Sequence, residues 1–359
     1  MDFSYSEEQR MLTDSLRRLV TDEWTRPKRR ARMGGLDAGA WGSLVELGVG
    51  GLMVSEEFGG FGESPATMLA VHQELGRGLV SEPTISSAVM AVTVLNHSDC
   101  QALKQRWLSA HADGEAVLAV AWQEAGERDA QRPLCTRATA LEVIHGEHPR
   151  AEAGVERGVL EEGVERSVEQ GAQGLSCEDF PTFDGGRAAT LRFDRVAVSK
   201  EQLIAKGARA QELLALAIDF GITALCAQAC GAMAALTDTT IQYLKTRKQF
   251  GQPLAAFQVL QHRLGDMLIQ SEMGLSMTYA ATIGLAEQDP VKRARLVSMA
   301  KIEVAAAARF VGESAVQLHG GMGVTDELEV GDFFKRLTYV DILLGDTNYH
   351  LQRLQDLTV

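Results

Sequence analysis

Three short strings gather the residues able to do chemistry. The first is YLKTRKQFGQPLAAFQVLQH, residues 243–262. In it Arg247 offers a planar fork of donors suited to a phosphate, Phe250 a face for a planar ring, and Gln249 and Gln258 amides for a polar edge. Taken singly they are equally a surface arginine and an ordinary helix–turn–helix junction, broken at Gly251 and restarted at Pro253. The second string is QLHGGMGVT, residues 317–325. There Gln317, Gly320 and Gly321 end a helical stretch, and adjacent glycines either admit a ligand to the backbone or simply cap the helix. The third, LLGDTNYH at 343–350, carries the carboxylate of Asp346. Beside Thr347 and Asn348 that carboxylate suits a helix N-cap, and it is also available as a base.

The elements that must hold these strings follow from periodicity. From about residue 207 the chain reads as helix, in stretches near 209–246, 253–287, 290–319 and 330–356 broken by Gly251, Pro253, Pro290 and Gly320-Gly321. Long Ala- and Leu-rich helices with short connections predict an antiparallel four-helix bundle over 207–359. Residues 1–118 read as a helical domain. Ser6 with Glu7, Glu8 and Gln9 starts a helix, Pro27 ends or bends it, and a later helix with Met68, Leu69, Val71 and Leu75 closes at Gly76 and Gly78. Residues 119–206 change character: Val117–Trp122 suits a buried strand, and Thr190–Val198 alternates with period two after the turn Asp184-Gly185-Gly186. Between these, the Glu-rich stretch from Glu147 to Gln173 reads as exposed and mobile, with no chemistry assigned. The expected fold is mainly α with a small central β domain.

Composition narrows the partners. Of 359 residues, 35 are Lys or Arg and 48 Asp or Glu, a formal net charge of -13. Nucleic acid and anionic membranes would be repelled by such a chain, whereas a small anion is acceptable where a local basic patch receives it. The five cysteines follow no metal or disulfide spacing, so no metal is expected, and Cys226 and Cys230 read as small core residues. No run of about 18 consecutive apolar residues predicts a membrane span, and MDFSYSEEQRML has no secretory h-region. A cytoplasmic protein is the expectation.

Taken whole, 243–262 resembles the R-x-Q-F-G-x-P-L-x-x-F-Q-x-x-Q-H signature of the flavin-dependent acyl-CoA dehydrogenases, and 317–323 resembles their Q-x-x-G-G-x-G element. Glu57–Gly62 and Glu74-Leu75-Gly76-Arg77 are similar to two further family elements, so the resemblance covers most of the chain outside 123–173. It implies a helical domain, a β domain and a bundle, with FAD as cofactor. Arg247, Gln249, Phe250 and Gln258 would contact the pyrophosphate and adenosine side across a subunit interface, and Gln317, Gly320 and Gly321 would hold the same flavin. It also implies an acyl-CoA substrate, an electron-transfer flavoprotein or similar acceptor, and an oligomer, homomeric or with a related subunit. The chemistry implied is α,β-dehydrogenation of the thioester, a carboxylate taking the α-proton while the β-hydrogen leaves as hydride.

Several positions depart from the pattern. The usual base is a Glu near the C-terminus, and Asp346 falls there, one methylene shorter. A helix cap is then as natural a reading as a weak or rearranged base. In some branches the Glu lies on the first bundle helix, where this chain has Gly221. Asp219, two residues away, reads as a solvated helix residue. A CoA-contacting Arg of many relatives falls at Ile222. The loop that helps hold the flavin ring is represented by Trp122–Asp129, in a β domain that reads as shortened. These departures resemble a bacterial branch that includes the small subunit of pimeloyl-CoA dehydrogenase. They leave open a non-catalytic, structural or flavin-free acyl-CoA-binding role beside the dehydrogenase.

Overall fold

Ser6 opens the first helix by a reciprocal cap: its hydroxyl accepts from Gln9 N while Gln9 returns its amide oxygen to Ser6 N. The computed structural model describes residues 5–33, 35–123, 137–138, 143–151, 156–161, 164–168 and 171–358. Helix α1 (Glu7–Glu23) buries Thr13, Leu16 and Val20, the stripe its spacing predicts. It stops before α2 (Arg26–Ala31), with Pro27 in the first turn of α2. After α3 (Ala38–Glu46) come the glycine-rich turns and α4 (Pro65–Arg77). A buried π-helical stretch, Thr84–Ala91, then leads into α5 (Val92–His97) and α6 (Gln101–Ala112).

Two four-stranded sheets follow. In one, β1 (Leu118–Val120) pairs parallel with β4 (Glu156–Glu161), then come β5 (Val164–Val168) and β8 (Leu203–Lys206), antiparallel. The other has the order β2 (Arg137–Ala138), β3 (Val143–Ala151), β7 (Arg187–Ala197), β6 (Leu175–Pro181) and is antiparallel throughout. The stretch 147–173, read from sequence as exposed and mobile with no strand assigned to it, contributes β4, β5 and part of β3. Its polar composition hid them, because a strand satisfied by its ladder needs no long apolar run. The turn at Asp184–Gly186 is where it was expected, with Gly185 at φ 90°.

The C-terminal half is α7 (Ala208–Thr246), α8 (Gln258–Gly284), α9 (Pro290–His319), α10 (Val330–Ile342) and α11 (Thr347–Asp356). The expected fourth stretch is thus two helices, parted at Leu343–Asp346 where Leu344 takes φ 59°. Helix α7 contains an 18-residue window apolar enough to cross a membrane, but 89% of that window is buried by its neighbours, so it serves as a core helix. Cys226 and Cys230 lie within it, their thiols pushed up to about 12 by burial.

Helix α4 crosses α7 at close range. A Cβ at Gly76 would lie 1.9 Å from Gln228 O, and one at Gly231 1.9 Å from Gln73 O. The E-L-G-R element is thereby explained: Gly76 admits α7, Glu74 takes Arg17 at 2.6 Å, and Arg77 reaches Asp238 at 3.0 Å. Gly231→Ala is expected to force the two helices apart and destabilise by about 1–3 kcal/mol or more. Gly42→Ala, in α3 with nothing within 4 Å of its Cβ, should leave Tm unchanged or raise it. Thermal denaturation of the two variants beside wild type checks the contrast.

Candidate functional site

Tyr243 and His319 join the first two strings. Their rings stack with centroids 4.2 Å apart, and Tyr243 Oη donates to His319 O at 3.3 Å. The end of α7 and the end of α9 therefore share one surface. Arg247 is the residue that ends α7; Arg247, Gln249, Phe250, Gln258, Gln317, Gly320 and Gly321 are all exposed. Phe250, 90% exposed at φ 53°, presents its ring to solvent with only an edge contact to Phe257 at 6.1 Å. At Gly320 and Gly321 a Cβ would meet nothing within 4 Å, leaving backbone open to an approaching group. Lys245, Arg247 and Lys248 make this edge locally basic on an acidic chain.

Asp346 lies elsewhere, in the break between α10 and α11. It is the N-cap of α11, with Oδ1 accepting from Tyr349 N at 2.7 Å. At Gly221, the other place where relatives carry the base, a Cβ would meet Met90 Sδ at 2.8 Å and Leu344 Cδ1 at 3.2 Å. The space above Gly221 is filled by apolar side chains. Ile222 is buried, consistent with the missing CoA-contacting Arg. The loop segment 124–129, and Cys135, lie outside the described residues.

Asp219 corrects an expectation. It is 1% exposed rather than solvated, its two oxygens taken by Arg293 Nε at 3.0 Å and Arg353 Nη2 at 2.9 Å. One carboxylate thus ties α7, α9 and α11 together. From Arg353 the network continues: its Nη1 donates to Ser298 Oγ at 3.3 Å, Ser298 donates to His350 Nδ1 at 3.2 Å, and His350 Nε2 donates to Leu344 O at 3.0 Å. The carbonyl can only accept, which fixes the tautomer. Lys301, fully buried on α9, donates to Gly345 O at 2.5 Å. Two consecutive carbonyls of the α10–α11 loop are therefore held from beneath, and Leu344 keeps its left-handed backbone. Burial lowers the Lys301 ammonium to about 8, and burial with the Lys301 charge lowers His350 to about 3. In sequence, Lys301 lies at helical spacing among Val297, Val304 and Ala308, and Asp219 inside an apolar run; a charge in an apolar stripe was the signal for both.

A cleft opens beside this loop. Met90, Leu225, Leu343 and Leu344 wall one part of it, and Val120 and Trp122 at the end of β1 another. Glu82, Asp184, Arg187 and Arg336 line it as well, a charged set not foreseen from the sequence.

Two domains of one family match the chain. The N-terminal domain of acyl-CoA dehydrogenases matches residues 6–115 and their C-terminal domain residues 213–357. The chain belongs to the acyl-CoA dehydrogenase family. Acyl-CoA dehydrogenase IpdE2 of Mycolicibacterium smegmatis is 24% identical over 359 residues, covering 98% of each chain. The (2S)-methylsuccinyl-CoA dehydrogenase of Cereibacter sphaeroides is 26% identical over 341 residues, 86% of this chain but 62% of that protein. Among solved structures, the ChsE4-ChsE5 complex of Mycobacterium tuberculosis shares the fold with a TM-score of 0.89 at 23% identity, over 99% of this chain and 98% of that one. Its named relatives are oxidoreductases, and the mainly helical architecture with a small β portion is the family's.

Asp219→Asn is expected to leave Arg293 and Arg353 buried without the carboxylate that balances them, costing about 3–5 kcal/mol, read as a fall in chemical-denaturation midpoint. The pH dependence has a definite sign. His350 titrates at 6.5 when unfolded and about 3 when folded, so the unfolded chain binds the proton first and stability falls as pH drops below 6.5. His350→Asn should flatten that fall by up to about 1.4 kcal/mol per pH unit, measured by denaturant titration at several pH values between neutrality and mild acid.

Proposed function

We propose that this protein is an FAD-dependent acyl-CoA dehydrogenase acting within an oligomer, performing α,β-dehydrogenation of an acyl-CoA thioester. The observation that carries the reading is the surface built by the Tyr243–His319 stack. It gathers a basic arginine, an exposed ring and open glycine backbone where FAD would be held. Among the described residues the Arg247 guanidinium has no partner, so its donors remain for a phosphate. Gln249, Phe250 and Gln258, with Gln317, Gly320 and Gly321, would complete the hold on the pyrophosphate and adenosine side. So exposed a set is suited to completion by a second subunit.

FAD, when bound, supplies the acceptor for the substrate's β-hydrogen. The cleft would take the acyl group, with Leu343 and Leu344 excluding water from the reacting carbons. Asp346 is the carboxylate at the family's base position. Its Oδ1 caps α11, and its other oxygen, which makes no hydrogen bond among the described residues, would take the α-proton. Lys301 and His350 fix the loop that carries it. Electrons would pass to an electron-transfer flavoprotein or similar acceptor.

A second reading has its own support. The capping bond of Asp346 and the filled space at Gly221 favour a non-catalytic subunit whose partner supplies the base, in line with the two-component name of the ChsE4-ChsE5 complex.

Arg247→Ala is expected to weaken FAD binding roughly 10- to 150-fold, the worth of one charge-assisted contact; unchanged affinity by fluorescence titration would remove it from the site. Asp346→Asn keeps a good N-cap and should therefore keep fold and FAD while turnover falls about 100-fold or more. Full turnover in that variant assigns the base to the partner subunit.

A further inference from the structure

The cleft is not uniform along its length. Near Gly221 it is walled by Met90, Leu225 and Leu344, whereas farther along it meets charged and hydrogen-bonding groups. Glu82 is the most telling of these. It is only 7% exposed, yet its Oε2 alone is engaged, by Trp24 Nε1 at 2.7 Å and Ser81 N at 3.2 Å. Among the described residues no other side chain donates to Oε1, and the Glu82 side chain lines the cleft. Burial raises the carboxyl above its ordinary range, toward the neutral form that can donate as well as accept.

The remaining charges of that end cancel. Arg336 Nε lies 3.0 Å from Asp184 Oδ2, Arg336 Nη1 reaches Val80 O at 3.3 Å, and Arg187 pairs with Asp179. A tail bearing a full charge would find both guanidinium groups already ion-paired. A neutral oxygen could accept from the buried Arg187 and Arg336 Nε–H groups, which make no hydrogen bond among the described residues, and meet Glu82. A plain hydrocarbon would strip water from Glu82 and give nothing back. Two neighbouring hollows share this end. One includes Glu82, Gly186 and Arg187 and reaches Arg32 and Asp37; the other includes Asp184 and Arg336 and reaches Arg29 and Arg30. The far end is thus bordered by polar and charged groups rather than closed on apolar side chains.

We propose that this cleft selects acyl groups whose distal part carries a neutral oxygen function, a ketone or hydroxyl, hydrogen-bonded by Glu82. The inference rests on the acyl-CoA dehydrogenase reading and names its substrate class. Sites built to hydrogen-bond a substrate oxygen reject analogues lacking it because a buried polar group is left unpaired. The discrimination expected here is about 10- to 100-fold.

The test compares three thioesters on the FAD-loaded protein: octanoyl-CoA, its analogue with a ketone beside the terminal methyl, and suberyl-CoA with a terminal carboxylate. Binding is read by calorimetry and reduction by anaerobic bleaching of the flavin. The keto thioester should bind at least about 10-fold more tightly than either of the others. Glu82→Leu should erase that preference and Glu82→Gln, which keeps a donor and an acceptor, should retain part of it. Equal binding of octanoyl-CoA, tighter binding of suberyl-CoA, or an unchanged preference in Glu82→Leu would overturn the inference while leaving the dehydrogenase reading intact. Binding of none of the three would overturn the dehydrogenase reading itself. Should Glu82→Leu fail to fold, the wild-type comparison and Glu82→Gln decide alone.

Discussion

A single buried carboxylate organises the C-terminal half of this molecule. Asp219 sits buried within the long apolar helix α7, where an isolated charge would be expensive, and is made acceptable by two guanidinium groups from other helices. Arg293 comes from the start of α9 and Arg353 from α11, so the pair fixes where both lie against α7. The consequence reaches the cleft. Arg353 continues through Ser298 and His350 to Leu344 O, and Lys301 takes Gly345 O. The loop that forms one wall of the cleft and ends in Asp346 is held from the core side, not by contacts with ligand. A site whose wall is built before anything binds is what positioning of a weakly acidic C–H requires.

The surface formed by Arg247, Phe250 and Gly320 obeys the opposite rule. None of the described residues covers it, and Phe250 holds a left-handed backbone while 90% exposed, where a non-glycine residue gains nothing by itself. One part of the C-terminal bundle is over-determined, while another is an unfinished contact. In the proposed reading the missing part is a flavin together with a second subunit.

Much of this was legible from the residues. The first-string and second-string motifs pointed to the family, Ser6 to a helix start, Asp184–Gly186 to its turn, and Cys226 and Cys230 to the core. The helical stretches were readable because Ala and Leu recur at helical spacing over long windows. What escaped was decided by tertiary pairing. Asp219 looks like any helical acid until two arginines from 74 and 134 residues away converge on it. Strands β4 and β5 carry charged residues that local pattern assigns to solvent, and only their ladder partners make them strands. The break at Leu343–Asp346 needs Lys301 and His350 beneath it, neither adjacent in sequence to the residues it holds. Glu82 stands between Ser81 and Pro83 with nothing local to mark it, and only the fold brings Asp184 and Arg336 to the same cleft.

The claim on which the functional reading turns is that the exposed surface becomes a flavin site when subunits meet. Sedimentation velocity of the purified protein with added FAD, followed in the flavin absorption band, tests it directly. Flavin absorbance should travel with a dimer or larger species and leave the protein when dilution yields monomers. Flavin carried by the monomer, or oligomers that carry none, would contradict it.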